Sequence, residues 1–470
     1  MIRRWLAIAV LAGVLTGTVL ALPFFSGRPV IGETKGQIAR HWLSCILTSS
    51  SALTGTGLTR HAIAEDFNTR GQIALLVLMQ GGGLAVLIAG ALVGLRFRRY
   101  GGWGDPDESN PAVSTRRLIA FTCVLMLVFE AVGTAALYRR HDTAEDGAVS
   151  PLLDAIFLSV SAFCNAGLTL GRDSLVGQRE SWRPLGVILP LMVAGSIGGP
   201  VGYEWWRRLL GRRGAAPPLQ RSSGGPGGRE RRPSSPEARA TLLGTALLLV
   251  VGAGLLFFIE STPRWQLRNP RENTPGRIAP GDALMTATSG SAADAQRMRT
   301  MPVGRRAAAA LFMSGSSRGG GFRTVRVDER SLAPASRFVM MGLMLVGGGL
   351  GGTAGGLRIV IVAVLLAAAF KPVVRQDPAR AAAIRAAAGA AMAMTLLITA
   401  TLLVLLYRET GGFEACAFEA VSACCNAGLS AEFTRRLSIE GQVAVILAML
   451  FGRVLPLALP AAVLAPETSR

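Results

Sequence analysis

The residues of this sequence best suited to chemistry are small ones, set out in a phrase that recurs four times, each time after an apolar run. Three copies read Ser51-Ala52-Leu53-Thr54-Gly55-Thr56-Gly57-Leu58, Ser161-Ala162-Phe163-Cys164-Asn165-Ala166-Gly167-Leu168 and Ser422-Ala423-Cys424-Cys425-Asn426-Ala427-Gly428-Leu429. A degraded version, third in chain order, reads Gly315-Ser316-Ser317-Arg318-Gly319-Gly320-Gly321-Phe322. Every copy puts a small residue six positions before a glycine that is followed by a large apolar residue. A monovalent cation leaving water needs replacement oxygen ligands, and main-chain carbonyls supply them without adding net charge. Glycine lets such carbonyls turn toward one axis, because it reaches positive φ without a Cβ clash. The expected ligands are the backbone carbonyls of Thr54-Gly55-Thr56-Gly57, Cys164-Asn165-Ala166-Gly167, Arg318-Gly319-Gly320-Gly321 and Cys425-Asn426-Ala427-Gly428. A plainer reading, in which Gly57, Gly167, Gly321 and Gly428 only cap helix C-termini, is compatible with that one.

Four such loops facing one axis require four similar walls. Each unit reads as a spanning helix, a short re-entrant apolar stretch ending in the phrase, and a second spanning helix. Unit one covers 1–99, with spans near Trp5–Phe25 and Ile73–Leu95 around Ile38–Ala52. Unit two covers 112–210, with spans near Leu118–Tyr138 and Leu185–Leu210 around Pro151–Cys164. Unit three covers 239–372, with Thr241–Glu260 and Phe338–Phe370 around Arg305–Ser317, and unit four covers 380–466, with Ala386–Tyr407 and Gln442–Leu464 around Phe413–Cys424. The expected fold is an all-α integral membrane protein of four tandem helix–pore-loop–helix units about a pseudo-fourfold central pore, with eight transmembrane helices. The intervening stretches are too short to cross alone, since a crossing helix needs about 20 apolar residues. Non-helical backbone at membrane depth is tolerated only where protein shields it or where it lines a watery path. The alternative is a set of extracellular surface helices. Residues 211–238, rich in Pro, Gly, Ser and Arg, form an expected flexible cytoplasmic linker. The long outer loop 261–304 suggests no function of its own.

Composition supports a membrane protein: half of the 470 residues are hydrophobic and only 17% are charged. The run from Trp5 to Phe25 is long enough to span and is read as a retained first helix, not a signal peptide. The net charge of +20 would point to nucleic acid in a soluble protein. Here the arginines crowd alternate connections, as in Arg96, Arg98, Arg99, Arg116 and Arg117, which marks a cytoplasmic face and excludes nucleic acid as the partner. That places both termini inside a multi-pass protein of the cell inner (cytoplasmic) membrane, with lipid as its surroundings. Arg264, Arg268, Arg271, Arg277, Arg297 and Arg299 dissent, because they fall in a loop this topology puts outside. The cysteines, and the histidines at His41, His61 and His141, show no spacing of a zinc site or disulfide framework.

With these residues in place, the chain resembles the pore subunit of the Trk/Ktr-type potassium transporters, the Trk/Ktr/HKT superfamily. Its most specific match is Gly347-Gly348-Gly349-Leu350-Gly351-Gly352-Thr353-Ala354-Gly355-Gly356-Leu357-Arg358, similar to a family run in the third unit's second helix. Met449-Leu450-Phe451-Gly452-Arg453-Val454-Leu455-Pro456 resembles the run that closes the fourth unit, and Gln80-Gly81-Gly82-Gly83-Leu84 resembles one in the first. The resemblance covers nearly the whole chain outside the linker and outer loop, and is closer to the shorter Ktr-like form. Departures are Gly349-Leu350 for the family's Ser-Pro, Gly319-Gly320 for its Thr-Ala, and Asn426 in the fourth segment.

The resemblance implies potassium uptake, K+ as transported ion with no organic cofactor, and a gate below the filter made by Gly349, Gly351, Gly352, Thr353, Ala354, Gly355 and Gly356 with Arg453. It further implies a homodimer and a cytoplasmic ring of RCK-type nucleotide-binding regulatory subunits. Potassium against sodium, and channel against ion-coupled symporter, stay open. Seven glycines between Gly347 and Gly356 make a continuous helix costly, at roughly 1 kcal/mol each relative to alanine. Close helix packing is the competing use of that run. Arg453, midway along an apolar run, is an electrostatic barrier as the resemblance implies, or else a snorkelling or purely structural arginine for which Glu130 is a candidate partner. Gly315-Ser316-Ser317-Arg318-Gly319 matches GxSxG, and Gly347, Gly349 and Gly352 match GxGxxG. Both lack the strand that enzymes place before them, so a membrane-embedded enzyme is the remote alternative and no catalytic residue is expected.

Overall fold

The computed structural model describes residues 25, 35–100, 111–138, 150–171, 173–211, 235–262, 298–328, 331–370 and 378–463. The expected first span, apart from Phe25, lies outside the described residues, as do most of the linker 211–238 and most of the outer loop 261–304. The principal helices are α1 (Lys35–Thr54), α2 (Thr69–Tyr100), α3 (Pro111–Leu137), α4 (Pro151–Phe163), α5 (Leu189–Ile197), α6 (Gly199–Gly211), α7 (Pro236–Ser261), α8 (Val303–Ser317), α9 (Pro334–Leu345), α10 (Ile359–Phe370), α11 (Pro378–Arg408), α12 (Phe413–Cys424) and α13 (Ile439–Val463). Their starts follow local chemistry. Pro151, Pro236 and Pro334 occupy first-turn positions, where the missing N–H costs nothing, and Ser235 caps α7 by accepting from the Ala238 amide.

Among the described residues five helices are long and apolar enough to cross a membrane, and one bent pair brings the number to six. Their apolar side chains face outward: Leu243, Leu247, Val250 and Phe258 on α7, and Leu396 and Leu403 on α11, are exposed. Only 17% of the apolar window of α7 is buried, against 56% for α13, so α7 is an outer, lipid-facing helix and α13 an inner one. Exposed apolar faces on this scale need hydrocarbon as solvent. The chain is a multi-pass membrane protein.

Two expected straight spans are interrupted. Leu185–Leu210 is not continuous: Pro184–Ile197 and Gly199–Arg208 meet at 93°. Gly198 makes the corner at φ 85, which an L side chain rarely adopts, and a Cβ there would overlap the Gly351 carbonyl. Phe338–Phe370 is broken into α9 and α10, each 12 residues long. Between them the chain loops out and returns, with Gly347 donating to the Leu357 carbonyl (2.8 Å) and Leu357 to that of Leu345 (2.9 Å).

The short helices sit between longer ones. α4 packs on α3 and α5, α8 on α7 and α9, α12 on α11 and α13, and α1 on α2. Contacts between these groups close a ring: α2 meets α4, α5 meets α8, α9 meets α12, and α13 returns to α1. Three inner helices approach the end of a short helix through a glycine. A Cβ on Gly82, Gly195 or Gly452 would overlap the carbonyl of Leu53, Phe163 or Cys424, respectively.

Candidate functional site

Each short helix ends in a turn with two left-handed residues spaced two apart. They are Gly55 (φ 61) and Gly57 (φ 104), Asn165 (φ 54) and Gly167 (φ 65), Gly319 (φ 124) and Gly321 (φ 72), and Asn426 (φ 48) and Gly428 (φ 81). In an extended strand successive carbonyls point to opposite sides. Alternating the sign of φ undoes that alternation and lets neighbouring carbonyls face one way. Three turns are closed alike: the Thr56, Ala166 and Ala427 amides donate to the carbonyls of Ser51, Ser161 and Ser422, at 2.9, 2.8 and 2.9 Å. The third closes one residue later, with the Gly320 and Gly321 amides both donating to the Ser316 carbonyl, at 2.7 and 3.3 Å. The serine six residues before Gly57 also accepts from that glycine's amide through Oγ (2.8 Å).

The four turns meet. A Cβ on Gly57 would lie 3.2 Å from Gly167 Cα, one on Gly167 2.7 Å from Gly321 Cα, and one on Gly428 3.1 Å from Gly321 Cα. Gly57, Gly167, Gly321 and Gly428 line a single cavity of about 90 Å³. Side chains lock the turns to their surroundings. Asn426 Nδ2 donates to Thr56 Oγ1 (2.8 Å) and to the Met449 carbonyl (2.9 Å), joining the first turn, the fourth turn and α13. Asn165 Nδ2 donates to Thr353 Oγ1 (2.7 Å) and to the Met192 carbonyl (3.1 Å). On the cavity side, Arg323 donates to Asp173 (2.7 Å) and to Glu432, so the chain following the second, third and fourth turns is tied together.

Behind the turns lies the glycine-rich segment between α9 and α10. Gly349 donates to the Ser196 carbonyl (2.9 Å) and Thr353 to that of Gly195 (2.9 Å), while Gly199 donates to Gly351 (3.3 Å). A Cβ on Gly90 would overlap the Leu350 carbonyl, and one on Gly355 would overlap that of Cys425. The segment thus touches inner helices α2 and α5 and the fourth turn. Three buried arginines hold its carbonyls: Arg453 Nη2 binds Thr353 O (2.6 Å), Arg358 Nη1 binds Ala354 O (2.6 Å) and Gly352 O (3.0 Å), and Arg318 Nη2 binds Gly347 O (2.8 Å). Arg453 makes no ion pair with Glu130, the candidate partner named for a structural arginine; Glu130 instead accepts from Gln80 Nε2 (2.8 Å). A Cβ on Gly55 would lie 3.2 Å from Arg453 Nη2, which places this cation against the first turn.

A family model for TrkH, described as a cation transport protein, matches residues 30–216 and 283–469. The chain belongs to the TrkH family. The potassium/sodium uptake protein NtpJ of Enterococcus hirae is 27% identical over 459 residues, covering 93% of this chain and 87% of that protein. The Ktr system potassium uptake protein B of Vibrio alginolyticus is 27% identical over 436 residues, covering 90% and 84%. The crystal structure of the potassium transporter TrkH from Vibrio parahaemolyticus shares the fold, with a TM-score of 0.63 at 18% identity over 99% of this chain and 85% of that one. Membership in a transporter family removes the enzyme alternative: Gly315–Gly319 is the end of α8 and its turn.

The structure brings all four expected stretches together, along with Gly349, Gly351, Gly352, Thr353, Ala354, Gly355, Gly356 and Arg453. Sequence reasoning missed three things. Asn165 and Asn426 hold the left-handed position that Gly55 and Gly319 hold elsewhere, as asparagine tolerates best after glycine. Arg318 sends its side chain away from the turns. Arg358, the last residue of the glycine-rich motif, binds more carbonyls of the segment than Arg453 does.

Proposed function

We propose that the chain carries K+ inward across the cytoplasmic membrane through a filter formed by the carbonyls of the four turns, and that the segment from Gly347 to Gly356 is its gate. The observation that carries this reading is the convergence of four turns with the same alternation of φ on one cavity. Oxygen dipoles gathered around one point replace the hydration shell of an alkali ion. The short helices add to this, because their C-terminal ends, which carry partial negative charge, point to the same place. The eight-span, four-unit topology with both termini cytoplasmic belongs to this reading, as do the boundaries 1–99, 112–210, 239–372 and 380–466. A homodimer with an RCK-type cytoplasmic ring is the assembly that the family resemblance carries over.

In this reading the gate is closed by arginine. Arg453 and Arg358 place two guanidinium groups on carbonyls directly behind the turns, where no acidic side chain binds either one among the described residues. Positive charge there opposes a cation passing through, so opening requires Thr353 and Arg453 to part.

A second reading, Na+ permeation or coupling to a second ion, is favoured by the third turn. Gly319-Gly320 carries no hydroxyl to brace it, unlike Thr54-Gly55-Thr56, where the two threonine Oγ1 atoms lie 2.7 Å apart. A turn with less support discriminates less between ions of different size. The test is rubidium and sodium uptake measured side by side in cells lacking their own potassium-uptake systems. Expression is expected to restore growth at low potassium and to bring in rubidium faster than sodium. No uptake of either ion by correctly inserted protein contradicts the transport reading.

A further inference from the structure

The rim of the cavity above the first turn carries a cluster that ion conduction does not use. His41 and Cys45 stand one helical turn apart on α1, and His61 comes back to them from the chain after Gly57. His41 Nε2 lies 3.7 Å from Cys45 Sγ and His61 Nε2 lies 4.0 Å from it, with the three candidate ligand atoms all within 4.8 Å of one another. A tetrahedral zinc ion with ordinary Zn–N and Zn–S bonds requires N···S separations of about 3.6 Å, so both N···S pairs close by a few tenths of an ångström, while the two imidazole nitrogens must draw in to about 3.3 Å by rotation of the rings. The outer partner is present as well. His61 Nδ1 lies 3.2 Å from Asp66 Oδ2, an arrangement that fixes the tautomer and turns Nε2 toward the cluster. Asp66 is itself held by the Ala62 amide (3.0 Å). His61 lines the same cavity as Gly57, which gives an ion a way in.

In sequence the cysteines and histidines show no spacing of a zinc site, and His61 lies sixteen residues from Cys45. The hairpin formed by α1 and its turn removes that distance.

We propose that His41, Cys45 and His61 bind a transition-metal dication of zinc's class, leaving a fourth position open to water or to Ser44 Oγ, which lies 3.0 Å from His61 Nε2. Binding requires the Cys45 thiol to give up its proton to solvent, while both imidazoles bind neutral. A dication held there ties α1 to the chain over the mouth and repels arriving monovalent cations. Zinc on that side therefore slows uptake.

The test uses the purified full-length protein titrated with Co2+, whose thiolate complexes absorb in the near ultraviolet. One equivalent per chain, with a thiolate-to-cobalt band that zinc displaces, is the expected result. Cys45→Ser removes the band, and Asp66→Asn weakens cobalt binding by about tenfold, the usual cost of losing a second-layer partner. His41→Asn provides a further variant if Cys45→Ser fails to fold: it keeps the thiolate band but needs at least about tenfold more cobalt. Failure to bind cobalt, or a band that survives Cys45→Ser, overturns the site. Rubidium uptake with zinc outside, slowed in the parent and not in Cys45→Ser, tests the consequence. That second arm rests on the transport reading and the cobalt arm does not, so the two can fail separately.

Discussion

Gly428→Ala is expected to lower rubidium uptake by at least about tenfold while the protein still reaches the membrane, since each 1.4 kcal/mol of ion–carbonyl interaction lost is a factor of ten. Gly428 sits at φ 81, and a Cβ there would overlap the carbonyl oxygen of Thr56. The left-handed conformation alone costs an alanine only about 1–2 kcal/mol, which a folded protein survives. The larger effect is geometric: Thr56 O, an expected ligand from the opposite end of the sequence, must move off its position. Gly81→Ala is the matched control. A Cβ at Gly81 meets nothing within 4 Å, so normal uptake is expected from it. If Gly428→Ala takes up rubidium as the parent does, the fourth turn does not line the path.

Arg453→Ala should act in the opposite direction and speed uptake. Arg453 Nη2 donates at 2.6 Å to Thr353 O, and both residues are buried. A hydrogen bond from a charged group is worth about 1.5–3 kcal/mol, so its loss shifts a closed–open equilibrium by roughly tenfold to a hundredfold. Removing the cation also removes a repulsive charge beside Gly55. Thr353→Val tests the same closure without touching charge. It deletes the hydroxyl that donates to Phe163 O (2.8 Å) and accepts from Asn165 Nδ2 (2.7 Å), while keeping the backbone carbonyl. A smaller increase in uptake is expected from it than from Arg453→Ala. Unchanged or slower uptake in normally inserted Arg453→Ala would remove both the barrier and the latch.

The four turns were legible because backbone chemistry leaves a composition signature. Small residues with glycine at a fixed offset are what a sharp, carbonyl-presenting turn demands. The break between α9 and α10 was legible for the same reason: seven glycines in ten residues cannot sustain a helix. The corner at Gly198 was not, because Gly198-Gly199-Pro200 lies inside one apolar run that is long enough to read as a single span. Only the Gly351 carbonyl packed against it decides the matter, and that contact joins residues far apart in sequence. The three arginines were half legible. Arg453 stood out as a charge in an apolar run, but Arg318 adjoins Gly319 and Arg358 follows Gly355-Gly356-Leu357, and their shared target is set by tertiary folding. His41, Cys45 and His61 were hidden by the turn that brings them together.

The most direct test is to locate the ion. A structure determined with Rb+ or Tl+ in place of K+ is expected to show anomalous density on the axis between Gly57, Gly167, Gly321 and Gly428, at bonding distance from carbonyls of all four turns. Heavy-ion density that avoids this point while the turns keep their geometry would contradict the account.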